Sequence, residues 1–546
     1  MTLWQFLSSE SDVPLPRVMG LAGVSGMANA LLLAILNQGS HTVGEGSTAR
    51  LFIMFGVAIS LYVVTQRYIL RVSSIEIEKL IAKLRVRLSN KIRQADLGPL
   101  EHLGRSRIYA SMQTETVTIS QATSPMILAC QGIILILFSM IYTFFLSRVA
   151  FFLTVAIVGG GAVVHFRSRA KLIVEMDAAT TKENEFFDVL TDLLEGFKEM
   201  KLSQARGRAL FTELSRIADD VAETKTTTAL RYADYYIFTQ VLFYLLIGAI
   251  VFVLPSLSSV YSAQVTQLTA AILFIIGPIT AVVGSLPTFQ SAEHAFENIA
   301  RLETELDHAR VVHNTLHAGN GDPPPVMKTI ELRGIEFSYT DRLGQRLFTV
   351  GPLDLTLKRG ELVLVIGGNG SGKSTLLKLL TALYYPAEGS IRLNGVDVRA
   401  LGYQTYRELY SAIFADYHLF ERMYGISDID DKRVFQLLQL MKLESKTSWH
   451  EGRFANQDLS TGQRKRLALI ISLLEDKQVY VFDEWAADQD PSFRKFFYET
   501  MLPEMKRRGK TIIAAVHDDR YFHMGDRVLM MEGGKFIDNP PDLGLS

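Results

Sequence analysis

The chain has 546 residues, 48% of them hydrophobic and 21% charged, with a mean hydropathy of +0.17. Apolar content this high excludes a mainly disordered chain, and a formal net charge of −1 gives no support to nucleic-acid binding. A single cysteine, Cys130, excludes an internal disulfide framework and a cysteine-cluster zinc site and reads as a packing residue; length and hydropathy together point to a membrane part joined to a soluble part.

Met1–Leu7 brings Leu3, Trp4, Phe6 and Leu7 close together, which suits either a short interfacial helix or an unstructured tail. Six apolar stretches follow, roughly 18–37, 51–70, 122–146, 149–166, 234–257 and 265–287. Most approach the ~20 residues that cross ~30 Å of hydrocarbon as a helix, the form in which a backbone satisfies itself in lipid. The first is too long, and too poor in preceding positive charge, to read as a cleavable signal.

The segments 67–120 and 167–234 carry ten and eleven Lys/Arg, whereas the three other connections hold only Arg50 and Arg148. This bias predicts that both long connections and both termini are cytoplasmic. Each long connection reads as a helical pair of ~25 residues per arm reaching ~35–40 Å from the membrane, with reversals expected at Leu103–Gln113 and Glu195–Lys201. Apart from Asp234 at the first position of the fifth, the spans hold no Asp, Glu or Lys, and His165 sits near an end. Proton relays and voltage sensors place charge at membrane depth, so ion coupling is not expected to supply the energy. Asn29, Gln131, Tyr235, Tyr236, Gln240 and Tyr244 suit either a cavity for an amphipathic solute or interhelical hydrogen bonds. Gly20, Gly23, Gly26 and Gly159–Gly161 are expected to allow close helix packing.

Domain boundaries follow from composition: a transmembrane domain over 1–310, a linker over 311–327 that contains three successive prolines, and a soluble α/β domain over 328–546. In the last, Gly367-Gly368-Asn369-Gly370-Ser371-Gly372-Lys373-Ser374 fits G-x-x-x-x-G-K-[ST] between a strand-like ELVLVI and a helical STLLKLLTAL, the context that a phosphate-binding loop requires. Glycines let N–H groups turn inward around phosphates, and the helix N-terminus adds its positive end. Lys373 is expected to neutralise the β/γ-phosphates, and Ser374 to bind Mg²⁺. About 110 residues on, the strand 479–483 ends in Asp483 and Glu484; Asp483 would hold the Mg²⁺ shell and Glu484 would polarise the attacking water as general base.

Leu459-Ser460-Thr461-Gly462-Gln463 lies between these motifs, and Val516 is followed by His517. Here the chain resembles the ATP-binding cassette family. LSTGQ looks like its LSGGQ signature, with Thr461 for one glycine. The resemblance implies ATP contacts by Gly367, Asn369, Gly370, Ser371, Gly372, Lys373, Ser374 and Thr375, by Ser460, Gly462 and Gln463, and by Asp490 of the D-loop. It also implies a switch role for His517 on the γ-phosphate and an adenine-stacking role for Tyr339. The layout is that of an exporter half-transporter: an α-helical six-span transmembrane domain fused to an α/β P-loop cassette, with ATP and Mg²⁺ as cofactors. In the family the signature of one subunit closes over the ATP of the other, which implies a homodimer in the lipid bilayer of the bacterial inner membrane.

LSTGQRKRLAL, VFDEWAADQDP and AVHDDRYFHMGDRVLMMEGG resemble the cyclic-peptide exporter branch, which includes pyoverdine-, syringomycin- and microcin-exporting half-transporters. Most exporters read DEPTSALD where this chain reads DEWAADQD. The branch implies a peptide or peptide-siderophore substrate. A lipid flippase or multidrug exporter would use the same machinery, and a non-transporting nucleotide sensor would not need a complete hydrolytic set. One departure stands out. Ala415 falls where exporters carry the Q-loop glutamine, and a methyl group cannot ligate a metal, which leaves Asp416 beside it as the substitute contact.

Overall fold

The computed structural model describes residues 15–41, 48–257, 265–309, 324–341, 345–426 and 429–537, together with Gln5, Glu10, Asp12 and Val13. Apart from Gln5, the expected interfacial segment 1–7 lies outside the described residues, as does 311–323 of the expected linker. The chain divides into two compact units, one of residues 1–87 and 109–301, the other of residues 88–108 and 302–546.

The first unit is helical. Its helices belong to α1 (Leu15–His41), α2 (Thr48–Gln94), α5 (Thr116–Leu146), α6 (Arg148–Glu195), α7 (Phe197–Leu202), α8 (Gln204–Gly248) and α9 (Val265–His308). The short helices α3 (Leu97–Leu103) and α4 (Arg105–Ala110) interrupt the series. Among the described residues, five helical segments are long and apolar enough to cross a membrane, within 20–39, 49–94, 107–146, 204–256 and 265–308. The expected span 149–166 falls on α6, whose apolar part, Arg148–Val164, is shorter. Their outer faces carry bare aromatic rings, with Phe145 81% and Phe252 79% exposed, as expected of surfaces solvated by lipid tails. Inside, Phe243, Leu246, Ile250, Leu268, Ile272 and Ile275 form a shared apolar core. Asn37 is held there by the Tyr142 hydroxyl at 2.9 Å and by the Gln267 carbonyl at 3.2 Å.

The close-packing expectation for glycines holds at two positions and fails at the others. A Cβ at Gly26 would lie 2.8 Å from Ile134, and one at Gly161 would lie 3.0 Å from Leu242. Gly20, Gly23, Gly159 and Gly160 face open space; in the run 159–161, helical rotation of about 100° per residue turns Gly159 and Gly160 away from the contact at Gly161.

The second chain reversal falls where expected, at α7, with Ser203 capping α8. The first falls earlier than expected. α2 ends at Gln94, Asp96 takes an extended conformation, and α3 begins at Leu97.

In the second unit, β1 (Thr329–Thr340), β2 (Arg346–Lys358), β4 (Glu388–Leu393) and β5 (Val396–Asp397) form an antiparallel sheet in the order β2-β1-β4-β5. A six-stranded sheet contains β3 (Leu362–Ile366), β6 (Tyr410–Ile413), β9 (Val479–Asp483), β10 (Thr511–Ala515), β11 (Arg527–Glu532) and β12 (Lys535–Phe536), in the order β12-β11-β3-β10-β9-β6. The strands β7 (Trp449–His450) and β8 (Arg453–Phe454) form a separate hairpin. The neighbours β11, β3, β10, β9 and β6 run parallel. The strands β3, β9 and β10 are buried at every residue, which is why they read as continuous apolar runs rather than as alternation. In parallel α/β sheets, ligands bind outside the carboxyl ends of the strands. Here the carboxyl ends of β3, β9 and β10 sit side by side.

Candidate nucleotide site

At the carboxyl end of β3 the chain turns through 367–372 into α10 (Lys373–Leu380). Gly367 has φ 149°, and a Cβ there would lie 2.3 Å from the Met531 carbonyl oxygen, so only glycine fits this turn. The Lys373 side chain is 4% exposed, and its ammonium donates to the Gly367 and Gly368 carbonyls at 2.9 and 3.0 Å. It also stands 3.7 Å from Glu484 Oε1. The loop carbonyls and the carboxylate give this buried ammonium the partners that a buried charge needs.

The carboxyl end of β9 supplies Asp483 and Glu484. Asp483 is 2% exposed. Burial pushes its pKa above the ordinary carboxylate value, against hydrogen bonds from Ser374 and from the Ala415 backbone. Its Oδ1 is buried without a hydrogen-bond partner. An orphaned carboxylate oxygen beside a serine hydroxyl fits a hard cation such as Mg²⁺, which takes one or two protein ligands and completes its shell with phosphates and water. Glu484 follows in the left-handed region at φ 49°. From the end of β10, His517 brings Nε2 to 2.6 Å from Glu484 Oε1. An open cleft of about 560 Å³ is lined by Glu484, Arg494, His517, Asp518 and Arg520 among others. In it, the Arg520 and Arg494 guanidiniums hold Asp518 down at about 2.

The structure thus brings Lys373, Ser374, Asp483, Glu484 and His517 together. Tyr339 joins through its hydroxyl, 3.1 Å from Thr375 Oγ1, with its ring packed edge-on against Phe337 and Tyr384. Ser460 and Gln463 stand elsewhere. They form a reciprocal capping box on α11 (Thr461–Glu475), with Ser460 and Thr461 exposed. Among the described residues, no hydrogen bond or ion pair joins 460–463 to 367–374. Gly462 packs on the loop after β9, where a Cβ would lie 2.6 Å from the Asp488 carbonyl oxygen. Asp490 caps the helix Pro491–Phe496 and meets Arg466 at 2.5 Å. Asp416 is exposed, and it is the backbone of Ala415 that reaches Asp483.

Sequence reasoning missed two groups of residues. Lys465, inside Arg464-Lys465-Arg466, is buried and donates to the Glu484 carbonyl at 2.9 Å. Its helical register with Leu469 and Ser472, also buried, was the available signal. The other group lies in 88–108. There the Glu101 carboxylate accepts from the Tyr384 hydroxyl at 2.6 Å and pairs with Lys378 at 3.3 Å, and Asp96 accepts from the Tyr385 hydroxyl at 2.6 Å. Burial, then the hydrogen bond to each carboxylate, holds both phenols protonated far above their usual range.

The ABC transporter family profile matches residues 350–487. The ATP-binding protein SyrD of Pseudomonas syringae pv. syringae is 31% identical over 534 residues, 94% of this chain and 92% of that protein. The chain belongs to the ABC transporter family. The macrolide export ATP-binding/permease protein MacB of Escherichia coli K12 is 28% identical over 229 residues, covering 39% of this chain and 34% of MacB. A solved bacterial Atm1-family ABC exporter with ATP bound shares the fold, with a TM-score of 0.75 and 16% identity over 97% of this chain and 96% of that one. This ABC protein is an exporter half-transporter, with a helical membrane part followed by the family's ATPase domain, and it couples ATP hydrolysis to transport.

Proposed function

We propose that this exporter moves a cyclic peptide or peptide siderophore across the bacterial inner membrane, as a homodimer working by alternating access. Residues 1–310 would form the path with six spans and both termini cytoplasmic, 311–327 the linker, and 328–546 the motor. The observation that carries the cargo assignment is the loop DEWAADQD at 483–490, which resembles the cyclic-peptide exporter branch; full-length similarity to SyrD supports it. On α8, Tyr236, Gln240 and Tyr244 share one face at i, i+4, i+8, with Tyr236 and Tyr244 exposed and Gln240 bonded to the Tyr236 hydroxyl at 3.2 Å. A stripe of neutral aromatic hydroxyls and an amide suits an amphipathic peptide.

In the motor, Gly367, Asn369, Gly370, Ser371, Gly372, Lys373, Ser374 and Thr375 would cradle the ATP phosphates and Tyr339 would flank the adenine. Lys373 would exchange its loop carbonyls for β- and γ-phosphate oxygens. Glu484 would accept a proton from the attacking water as it strikes the γ-phosphorus, and the bond to the ADP oxygen would break in line. His517, already on Glu484 Oε1, would orient that carboxylate and meet the γ-phosphate. Ser374 and Asp483 would hold Mg²⁺, which when bound neutralises phosphate charge. Asp416 remains a candidate outer contact. Ser460, exposed, and Gly462 and Gln463, half-buried, at the start of α11, would engage the nucleotide of the second copy, with Asp490 supporting the junction. ATP closes the dimer only because it binds the closed state better than the open one.

The test is uptake of a labelled cyclic peptide siderophore precursor into inverted vesicles with ATP, beside Glu484→Gln vesicles. Accumulation that disappears in the variant, with hydrolysis down by about 10² or more, supports the reading. Glu484-dependent ATPase that ignores the peptide would instead assign a lipid or drug as cargo, and absence of turnover in the parent would favour a sensor.

A further inference from the structure

We propose that Lys465 is a positioning residue that fixes the backbone of Glu484 and ties it to the helix bearing the LSTGQ segment. The inference rests on the reading of Glu484 as general base.

Among the described residues, Lys465 and Lys373 are the buried cations, Lys465 being 5% exposed. Its ammonium donates to the Glu484 carbonyl at 2.9 Å and pairs with Asp488 Oδ2 at 2.7 Å. The link is returned by the indole N–H of Trp485, which donates to the Lys465 carbonyl at 2.9 Å. α11 and the loop 484–488 are therefore stitched twice, in opposite senses, by adjacent residues. Further stitches follow. Gln489 Nε2 donates to the Gly462 carbonyl at 3.1 Å, and Arg466 Nε donates to Gln489 Oε1 at 2.8 Å.

Two physical facts make this more than a core ion pair. Glu484 holds a left-handed backbone that a residue with a Cβ keeps only when its surroundings over-determine it. Among the described residues, its carbonyl is otherwise met by the Ala487 N–H at 3.3 Å, so Lys465 is the closer donor. In addition, an ammonium is costly to bury, and an apolar side chain of similar length would pack at least as favourably. What an apolar residue cannot do is hold a carbonyl and a carboxylate in one place. The direction of the Glu484 side chain follows from its backbone, and a misplacement of about 1 Å in a reacting group costs about 10²-fold in rate. Because Gly462 rests on the Asp488 carbonyl, displacement of the signature segment by a nucleotide would reach Glu484 through the same clasp.

The test uses the full-length transporter in nanodiscs, with ATPase kinetics and binding of a fluorescent ATP analogue measured separately. Lys465→Met is expected to lower kcat about 10²-fold, with KM and analogue affinity unchanged. Lys465→Arg, which keeps charge and donors, should recover most of the loss. Asp488→Asn, at a half-exposed position, should lower kcat in the same sense and decides the matter if Lys465→Met does not fold. Wild-type kcat in Lys465→Met or in a folded Asp488→Asn overturns the proposal, as does a loss that appears in analogue affinity rather than kcat. Glu484→Gln runs alongside. If it still turns over, the general-base reading has failed; if it is dead while Lys465→Met is fully active, only the clasp has failed.

Discussion

At the residue scale, Asp483 is a buried carboxyl that the fold keeps at a cost in stability. Its carboxyl is buried, one oxygen has no hydrogen-bond partner, and its pKa is raised chiefly by that burial. The sign follows from linkage. A carboxyl whose folded pKa lies above its unfolded value of about 3.9 binds its proton more tightly in the fold, so stability falls as pH rises from the unfolded value through the folded one. At neutral pH the ionised group therefore destabilises the empty protein. Asp483→Asn should raise the melting temperature without nucleotide, by ~2–4 °C for each kcal/mol relieved in a domain of this size. It should also abolish the further rise that Mg²⁺ and ATP give the parent. Melting curves with and without Mg²⁺-ATP check both halves, and a parent and variant with equal empty-state melting points would contradict the argument.

At the element scale, the segment 96–103 is the part of the structure least visible in the sequence. Nothing in LGPLEHL marks it as a docking helix, because its residues contact partners nearly 300 positions away, such as Tyr384 and Tyr385. Periodicity reports which face of an element is buried, not against what. The expected reversal at 103–113 was displaced for a related reason. The bend at Ala95–Asp96 is fixed by the Asp96 N–H donating to the Ala309 carbonyl at 3.1 Å, a long-range contact without local signature. The phosphate loop, the two carboxylates and His517 were legible because their chemistry demands particular residue types at strand ends. Lys465 lies between motifs, at a position where no recognised chemistry demands its residue type. Tyr385→Phe tests the docking. It removes the hydroxyl that satisfies a carboxylate only 4% exposed, and leaving such a group short of a donor costs about 1–3 kcal/mol. Chemical denaturation of the variant should show a loss in that range; a loss near zero would mean that Asp96 is satisfied without it.

At the scale of the whole molecule, the exposed signature segment and the assembled phosphate loop pose a question of stoichiometry. Lys373 lies among Gly367, Gly368 and Glu484, while Ser460 caps an exposed helix end and shares no hydrogen bond with that loop. If each working site takes its phosphate loop from one copy and its signature from the other, defects at the two places must complement. A Lys373→Ala chain and a Ser460→Arg chain should each be inactive alone. Co-expressed, they pair at random in a symmetric dimer, so half the dimers are mixed and each mixed dimer keeps one intact site, giving about one quarter of parental ATPase activity if each site turns over independently. If a single copy supplied both elements, every site in the mixture would carry one defect and activity would stay at the level of either variant. The size of the recovery carries information as well. A mixture far below one quarter would mean that one intact site turns over poorly beside a dead one, which is the behaviour expected if the Lys465 clasp passes the state of the signature segment to Glu484 of the same chain.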